Sequence, residues 1–446
     1  MNQHCQGCHQ PAKAQGAYVL TDYASLLKPG ETGKAIVVAG KPAESFLVEE
    51  IRVKNGQHEM PKNRDALLPV QIATIEKWIA QGAKDDTPAA AKALAISQDH
   101  PPVYSAPPVV TAVVYSPDGE TLAVSGYHEI LLFKADGSKL IDRLVGISER
   151  VQSLAFSPNG KMLAAVGGSP GRFGEVQIWD VAKRKLIVSS AVTADTLYGV
   201  SWAPNQSMVA FGCADNTVRG IDPATGKQTL QMGTHSDWIL GTAFSRDGKH
   251  LVSISRDMTM KLTEVATQRF VDNVTSITPG ALKGGLMSVA IRPKTKKWLQ
   301  VLPSDTPGLA KKIYDEVLIA GADGIPRLYK MHREVPRVIG DDANKLKEFA
   351  ALPGRVSALA FDSTGARFAA VSSLDGKGEV RIVDVETRKT VTCEGITGPV
   401  YTVDWQPGNK VIASSGFDGI VWRHDPSTGK LISKFQAIPP AKIAAR

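Results

Sequence analysis

At 446 residues the chain is long enough for two or three domains, and 43% hydrophobic content is ample for buried cores. With 27 Pro and 40 Gly it is rich in turns, as a protein of many short strands should be, and the four cysteines are too few for a disulfide scaffold. The net charge of +8 is spread along the sequence, with one dense run at Lys294–Lys297; this favours acidic protein partners or peripheral contact with an anionic membrane over dedicated nucleic-acid binding, and serves solubility equally well. No apolar run reaches the roughly 18 residues of a membrane-spanning helix.

The first informative stretch is Cys5-Gln6-Gly7-Cys8-His9. Cys-x-x-Cys-His is the attachment signal of c-type haem. Positions three and four apart share one helix face, so Cys5 and Cys8 can bond the two vinyl groups of one porphyrin edge while His9 faces the iron. A Met opposite the His would raise the reduction potential and suit electron transfer. The candidate is Met60, with His58 as the alternative; Pro61 after Met60 restrains that loop. His4 reads as a surface residue. A zinc site would need a second ligand pair, and Cys213 and Cys393 stand far off as single residues, Cys213 in a strand pattern. Haem is attached to this motif outside the cytoplasm, so a signal is expected upstream of residue 1 and a periplasmic or otherwise exported location is implied.

Further along, Leu26 and Leu27 precede a Lys28-Pro29-Gly30 turn. Ser45 can open a helix burying Leu47, Val48 and Ile51. Over Leu67–Ala83, residues Ile72, Ile75, Trp78 and Ile79 share a helical face, and Gly82 suits the C-terminal cap. Residues 1–86 thus read as a small all-α domain whose apolar faces a haem would cover.

In that order behind Cys-x-x-Cys-His stand Gly-Lys-Pro-Ala-Glu-Ser-Phe-Leu (40–47), Met60-Pro61 and Ile-Glu-Lys-Trp-Ile-Ala-Gln-Gly-Ala (75–83). This arrangement resembles the planctomycete-type cytochrome c domain over about 80 residues. The resemblance implies one covalent haem c, with Cys5 and Cys8 as attachment residues and His9 and Met60 as axial ligands. Lys62 stands where the family usually carries a second Pro.

Residues 87–108 read as a Pro/Ala-rich, semi-rigid linker that keeps the haem domain close enough to dock on its neighbour. From 109 to 446 the chain repeats. A strand followed by a polar turn recurs with third turn positions at Asp118, Asn159, Asn205, Asp247, Lys294, Thr364 and Gly408. Successive gaps of 41, 46, 42, 47, 70 and 44 match the WD-repeat β-propeller period, which gives an all-β propeller of seven blades. The long gap is an enlarged first turn, Pro293 to Asp315, in the fifth blade; an eighth blade inside it would lack its own turn and corner. The corner aspartates Asp215, Asp257, Asp323 and Asp418 read as turn-tying residues. The last outer strand could come from Leu431–Phe435 or from Val103–Ser105.

Within the propeller, His128, His235, His250, His332 and His424 stand singly, without metal-ligand spacing. The resulting expectation is an electron-transfer protein: a haem domain exchanging electrons with a redox partner protein, and a propeller docking another protein. Two alternatives stand beside it. One is a redox enzyme with a substrate or second cofactor on the propeller, as the plan of haem-d-type nitrite reductases and quinoprotein dehydrogenases suggests, although those have eight blades. The other is a haem-based redox sensor.

Overall fold

The computed structural model describes residues 4–10, 13–21, 23–62, 65–86, 96–278, 280–293 and 315–438. The protein is mostly β: six antiparallel sheets follow one another along the chain, one of seven strands and five of four. The first runs from Val113–Tyr115 to Lys185–Thr193, and the other five open with Leu197–Trp202, Ile239–Phe244, Leu286–Ile291, Arg355–Phe361 and Val400–Trp405. Inside the seven-stranded sheet the 17-residue strand Leu140–Phe156 changes partners along its length. Its first part, Leu140–Val145, pairs with Tyr127–Lys134, and its last part, Arg150–Phe156, with Met162–Ser169.

The opening strand of each sheet leaves one edge unpaired, and an unpaired buried edge carries N–H groups that need acceptors. Side chains of the preceding sheet supply them. Val200 N donates to Ser153 Oγ (3.2 Å) and Leu359 N to Ser288 Oγ (2.9 Å). The same pattern joins the last sheet to the first: Val113 N donates to Thr402 Oγ1 (3.0 Å) and Tyr115 N to Asp404 Oδ2 (2.8 Å). Apolar clusters fill the spaces between neighbouring sheets, and one of them joins Val113, Leu122 and Leu131 of the first sheet to Ala413 and Val421 of the last. The chain therefore closes on itself. Its final outer strand is Leu431–Gln436, whereas Val103–Ser105 forms no strand.

The strand-to-strand turns follow the repeat chemistry read from sequence. In Ser116–Thr121, Asp118 accepts from Ser116 Oγ and from Glu120 N (3.0 Å), while Gly119 takes the φ of +76° that the turn requires. The corner aspartates do the same work: Asp215 accepts Thr217 N, Asp323 accepts Ile325 N and Asp418 accepts Ile420 N, at 3.1, 3.1 and 3.0 Å. The enlarged turn after Pro293 and the Lys294–Lys297 run lie outside the described residues.

Ahead of the sheets stand three short helices, α1 (Tyr23–Leu26), α2 (Phe46–Ile51) and α3 (Pro69–Ala80). α2 begins after Ser45 and buries Leu47, Val48 and Ile51, as expected. The Ser45 hydroxyl does not cap it, however: it accepts from Val38 N (2.8 Å) and donates to Lys41 O (3.0 Å), tying the preceding loop instead. Just past the end of α3, Gly82 takes a φ of +96°, but of the helix's apolar face only Ile79 is fully buried, while Ile72, Ile75 and Trp78 pack half-exposed on the unit's own core. Residues 96–108, read as linker, run along the first sheet, where the Tyr104 hydroxyl donates to Glu129 Oε1 (2.7 Å) and Arg143 Nη2 donates to Pro102 O (2.8 Å).

Candidate functional site

Cys5–His9 forms a single turn: His9 N donates to Cys5 O at 3.1 Å and Cys8 N to the same oxygen at 3.2 Å. This one α-type bond suffices to bring Cys5, Cys8 and His9 to one side, where all three line a cleft. The rest of the lining is largely apolar, with Leu20, Ile36, Phe46, Leu47, Ile51 and Leu67. α2 supplies three of these and α3 none. Ile72, Ile75, Trp78 and Ile79 of α3 pack on the core to which the cleft residues Leu20, Ile36, Leu47, Ile51 and Leu67 also belong.

His9 is buried, and its Nδ1 lies 3.0 Å from Gln15 O, a distance at which Nδ1–H donates to the carbonyl. That bond selects the tautomer in which Nε2 is a bare acceptor, the arrangement that orients a metal-ligating imidazole. Burial also holds the His9 pKa below its ordinary value, favouring the neutral ring. Leu20 N donates to His9 O (2.8 Å) and Gln15 N to Cys8 O (3.1 Å), so the return of the chain fixes the turn from both ends.

Met60 lines the same cleft, packed against its core; its N–H donates to Glu50 O (3.0 Å), and the bond to Pro61 is cis. His58 does not line this cleft. It faces a second one, between the helical unit and the sheets, with Asp65, Gln71, Ser190 and Lys227. His4, expected at the surface, is half-buried; it lines both clefts and lies 3.3 Å from Gln71 Nε2. Glu50 also reaches the cleft, with its carboxyl pushed up by burial and by Glu59 and Glu49.

The turn carrying these residues rests on the outermost strand of the seven-stranded sheet, Lys185–Thr193. A Cβ at Gly7 would lie 2.0 Å from Ser189 O, so only glycine lets the turn sit so close. Lys13 Nζ donates to Ile187 O. Beside them the fully buried Gln10 lies next to the fully buried Glu175, which accepts from Ser148, Ser189 and Gln177. Burial raises the Glu175 pKa against the pull of those donors. Nothing in the local sequence signals this seam beyond the glycine of the motif.

Elsewhere, one constellation has the connectivity of a hydrolytic triad: Ser253 Oγ lies 2.8 Å from His235 Nε2, and His235 Nδ1 lies 2.8 Å from Asp257 Oδ2. It is structural. Ser253 and His235 are buried, and Asp257 also accepts Ser236 N and Thr259 N, pinning a strand corner. Burial works against the Asp257 carboxylate, but the hydrogen bonds and charge of His235, with those from Thr259 and Ser236, hold its pKa well below the usual range. Cys213 and Cys393 are buried free thiols whose pKa burial pushes up to about 12, the mark of inert cysteines. His250 and His332, isolated in sequence, meet ring to ring. No helix among the described residues is long and apolar enough to cross a membrane.

Comparison with known proteins falls into two parts along the chain. The family model "Planctomycete cytochrome C" matches residues 5–64, and "WD domain, G-beta repeat" matches residues 226–263 and 387–425. The mostly β architecture is consistent with WD-repeat structure. Each WD match begins at the outer edge of one sheet and runs through three strands of the next, so the sequence repeat bridges neighbouring sheets. Curated proteins similar to this chain include a Ribosome biogenesis protein WDR12 homolog of Chlamydomonas reinhardtii, 29% identical over 36% of this chain and 42% of that protein. Transcription factor unc-37 of Caenorhabditis elegans is 28% identical over 33% of this chain and 23% of its own length. Actin-interacting protein 1-2 of Arabidopsis thaliana is 25% identical over 36% and 26% respectively. The chain spans less than half the length of each of these relatives.

Proposed function

We propose that the chain is an exported, periplasmic-type electron-transfer protein. In this reading one haem c is bonded to Cys5 and Cys8, and the WD region is a seven-bladed propeller on which a partner protein docks. The observation that carries it is the His9 hydrogen bond to Gln15 O, which leaves Nε2 bare at an apolar cleft that Cys5, Cys8 and Met60 also line. These residues fit the group: two thiols from one turn for thioether bonds, a neutral imidazole as proximal ligand and a half-buried thioether as the distal one. His58 is the weaker distal candidate because it faces the other cleft. Bound haem supplies a one-electron iron couple, and Met–His ligation leaves no open position for substrate. The chain's own part is to exclude water with Leu20, Ile36, Phe46 and Leu47, and to hold His9 in one tautomer.

The seven-blade count is supported by the long strand Leu140–Phe156, whose two halves belong to different pairings and so make the seven-stranded sheet two blades. A propeller of this kind is a rigid platform for partner proteins. The reading as a redox sensor draws on the seam itself, since Gly7 and Gln10 touch the WD region through Ser189 and Glu175, next to the proposed iron ligand. Purification of the protein from a native host, followed by identification of co-eluting proteins and a reduced-minus-oxidised spectrum, tests the proposal. A reducible c-type spectrum in a stable complex with a redox protein is expected. Partner binding that changes with haem oxidation state would favour the sensor, and the absence of a haem spectrum would remove both readings.

A further inference from the structure

His250 opens the strand His250–Ser255, and His332 follows the strand Arg327–Lys330 of the next sheet. Their ring centroids lie 4.6 Å apart with an interplanar angle of 79°. Neither ring has a hydrogen-bond partner among the described residues, and both side chains are only half-buried, so their nitrogens remain within reach of solvent. The pair is held by ring contact, in contrast to His235, both of whose ring nitrogens are bonded to protein side chains, and to His424, whose Nε2 is bonded to Glu394 O.

Hydrogen bonds and an ion pair tie together the segments around the pair. The Asp315 carboxylate accepts from both Arg246 N (3.0 Å) and Arg246 Nε (2.6 Å), clamping the turn before His250 to the strand start beside His332. Met331 N donates to Asp315 O (2.9 Å), which fixes the residue preceding His332. Asp247 accepts from Ser245 Oγ and from Lys249 N (3.0 Å), so it stays in place as a second negative charge. Burial and the neighbouring His250 hold the His332 pKa below its ordinary value, against the opposing pull of Asp315 and Asp247.

We propose that His250 and His332 form a bis-imidazole site for a divalent transition-metal ion of the copper–nickel class, with water completing the coordination shell. With metal–nitrogen bonds of about 2.0–2.1 Å, two imidazoles cis on one ion at right angles have ring centres about 4.5 Å apart, and at a tetrahedral angle about 5.2 Å apart. The observed spacing matches the right-angled case, which square-planar or octahedral Cu(II) and Ni(II) prefer. Asp315 contributes attraction rather than ligation, since Arg246 engages both its oxygens, and Asp247 adds a second negative charge. Copper should bind most tightly, following the general order for nitrogen sites, and binding should weaken on acidification as protons compete for both rings.

The test is Cu(II) titration of the full untagged chain by calorimetry, with electron paramagnetic resonance of the copper signal, in the unaltered protein and in His250→Ala, His332→Ala and, as a control, His100→Ala. Cys5, Cys8 and His9 are common to all four, so the differences isolate this pair whatever those residues bind. One site with two-nitrogen hyperfine structure is expected, weakened at least tenfold in each of the first two variants and unchanged in His100→Ala. His332→Asn replaces His332→Ala if the latter fails to keep the parent's circular dichroism. Affinity within twofold of the parent in both pair variants, or a copper signal without two nitrogens, overturns the proposal.

Discussion

Replacing Gly7 with alanine tests whether the Cys5–His9 turn is docked on the WD region. The new Cβ would start 2.0 Å from Ser189 O, whereas an ordinary C···O contact is about 3.3 Å, so the turn or the strand must retreat by about 1.3 Å. Overpacking of this kind costs about 1–3 kcal/mol. Because the rest of the seam is small, with Gln10 on Glu175 and Lys13 on Ile187 O, most of that cost should fall on docking. The undocked population should then rise roughly five- to a hundredfold, at tenfold per 1.4 kcal/mol. Amide hydrogen exchange over residues 4–10 and Lys185–Thr193 reads this directly: both segments should lose protection while the other sheets keep theirs. The spacing of Cys5, Cys8 and His9 is untouched, so haem content should not change. Unaltered exchange in both segments, in a variant that folds as the parent does, would refute the docking argument.

Three further outcomes are expected. Met60→Ala should abolish the weak far-red absorption of a Met-ligated ferric haem and lower the potential, and His58→Ala should leave both nearly unchanged; the reverse pattern would assign the ligand to His58. Asp404, whose pKa burial pushes up to about 7 against an unfolded value near 3.9, is favoured protonated in the folded state. Its contribution to stability is therefore complete below about pH 4 and lost as the pH rises through 7. Denaturant titrations should show stability declining over that interval more in the parent than in Asp404→Asn, and equal slopes would contradict this. Asp257→Ala leaves His235 and the Ser236 and Thr259 amides without their acceptor, and should lower stability by about 1–3 kcal/mol without touching haem content or potential; a shift in potential with unchanged stability would be the contrary result.

What the sequence revealed about this protein was local. The Cys-x-x-Cys-His spacing, the burial of Leu47, Val48 and Ile51 and the Asp118 and Asp257 corners follow from chemistry within a few residues, and the WD period follows from its recurrence. Features that depend on distant segments were hidden. The Gln15 carbonyl that orients His9 is an ordinary backbone atom, and the Ser189 oxygen under Gly7 belongs to a strand far along the chain. His250 and His332 read as solitary because they belong to different repeats, and only the packing of neighbouring sheets brings them together. The Ser45 hydroxyl was legible as a helix cap by type but was claimed by Val38 and Lys41, a competition that propensity cannot express. α3 turns its apolar face to a core that Leu26 and Val48, distant in sequence, also join.

The central claim rests on covalent haem at Cys5 and Cys8. The most direct measurement is to export the chain behind a functional signal in a host with haem-maturation machinery and to examine the denatured protein for haem that stays attached. One haem per chain is predicted in the parent, most of it lost in Cys8→Ser. A denatured parent protein free of haem, in a strain that matures a control c-type cytochrome normally, would contradict the account.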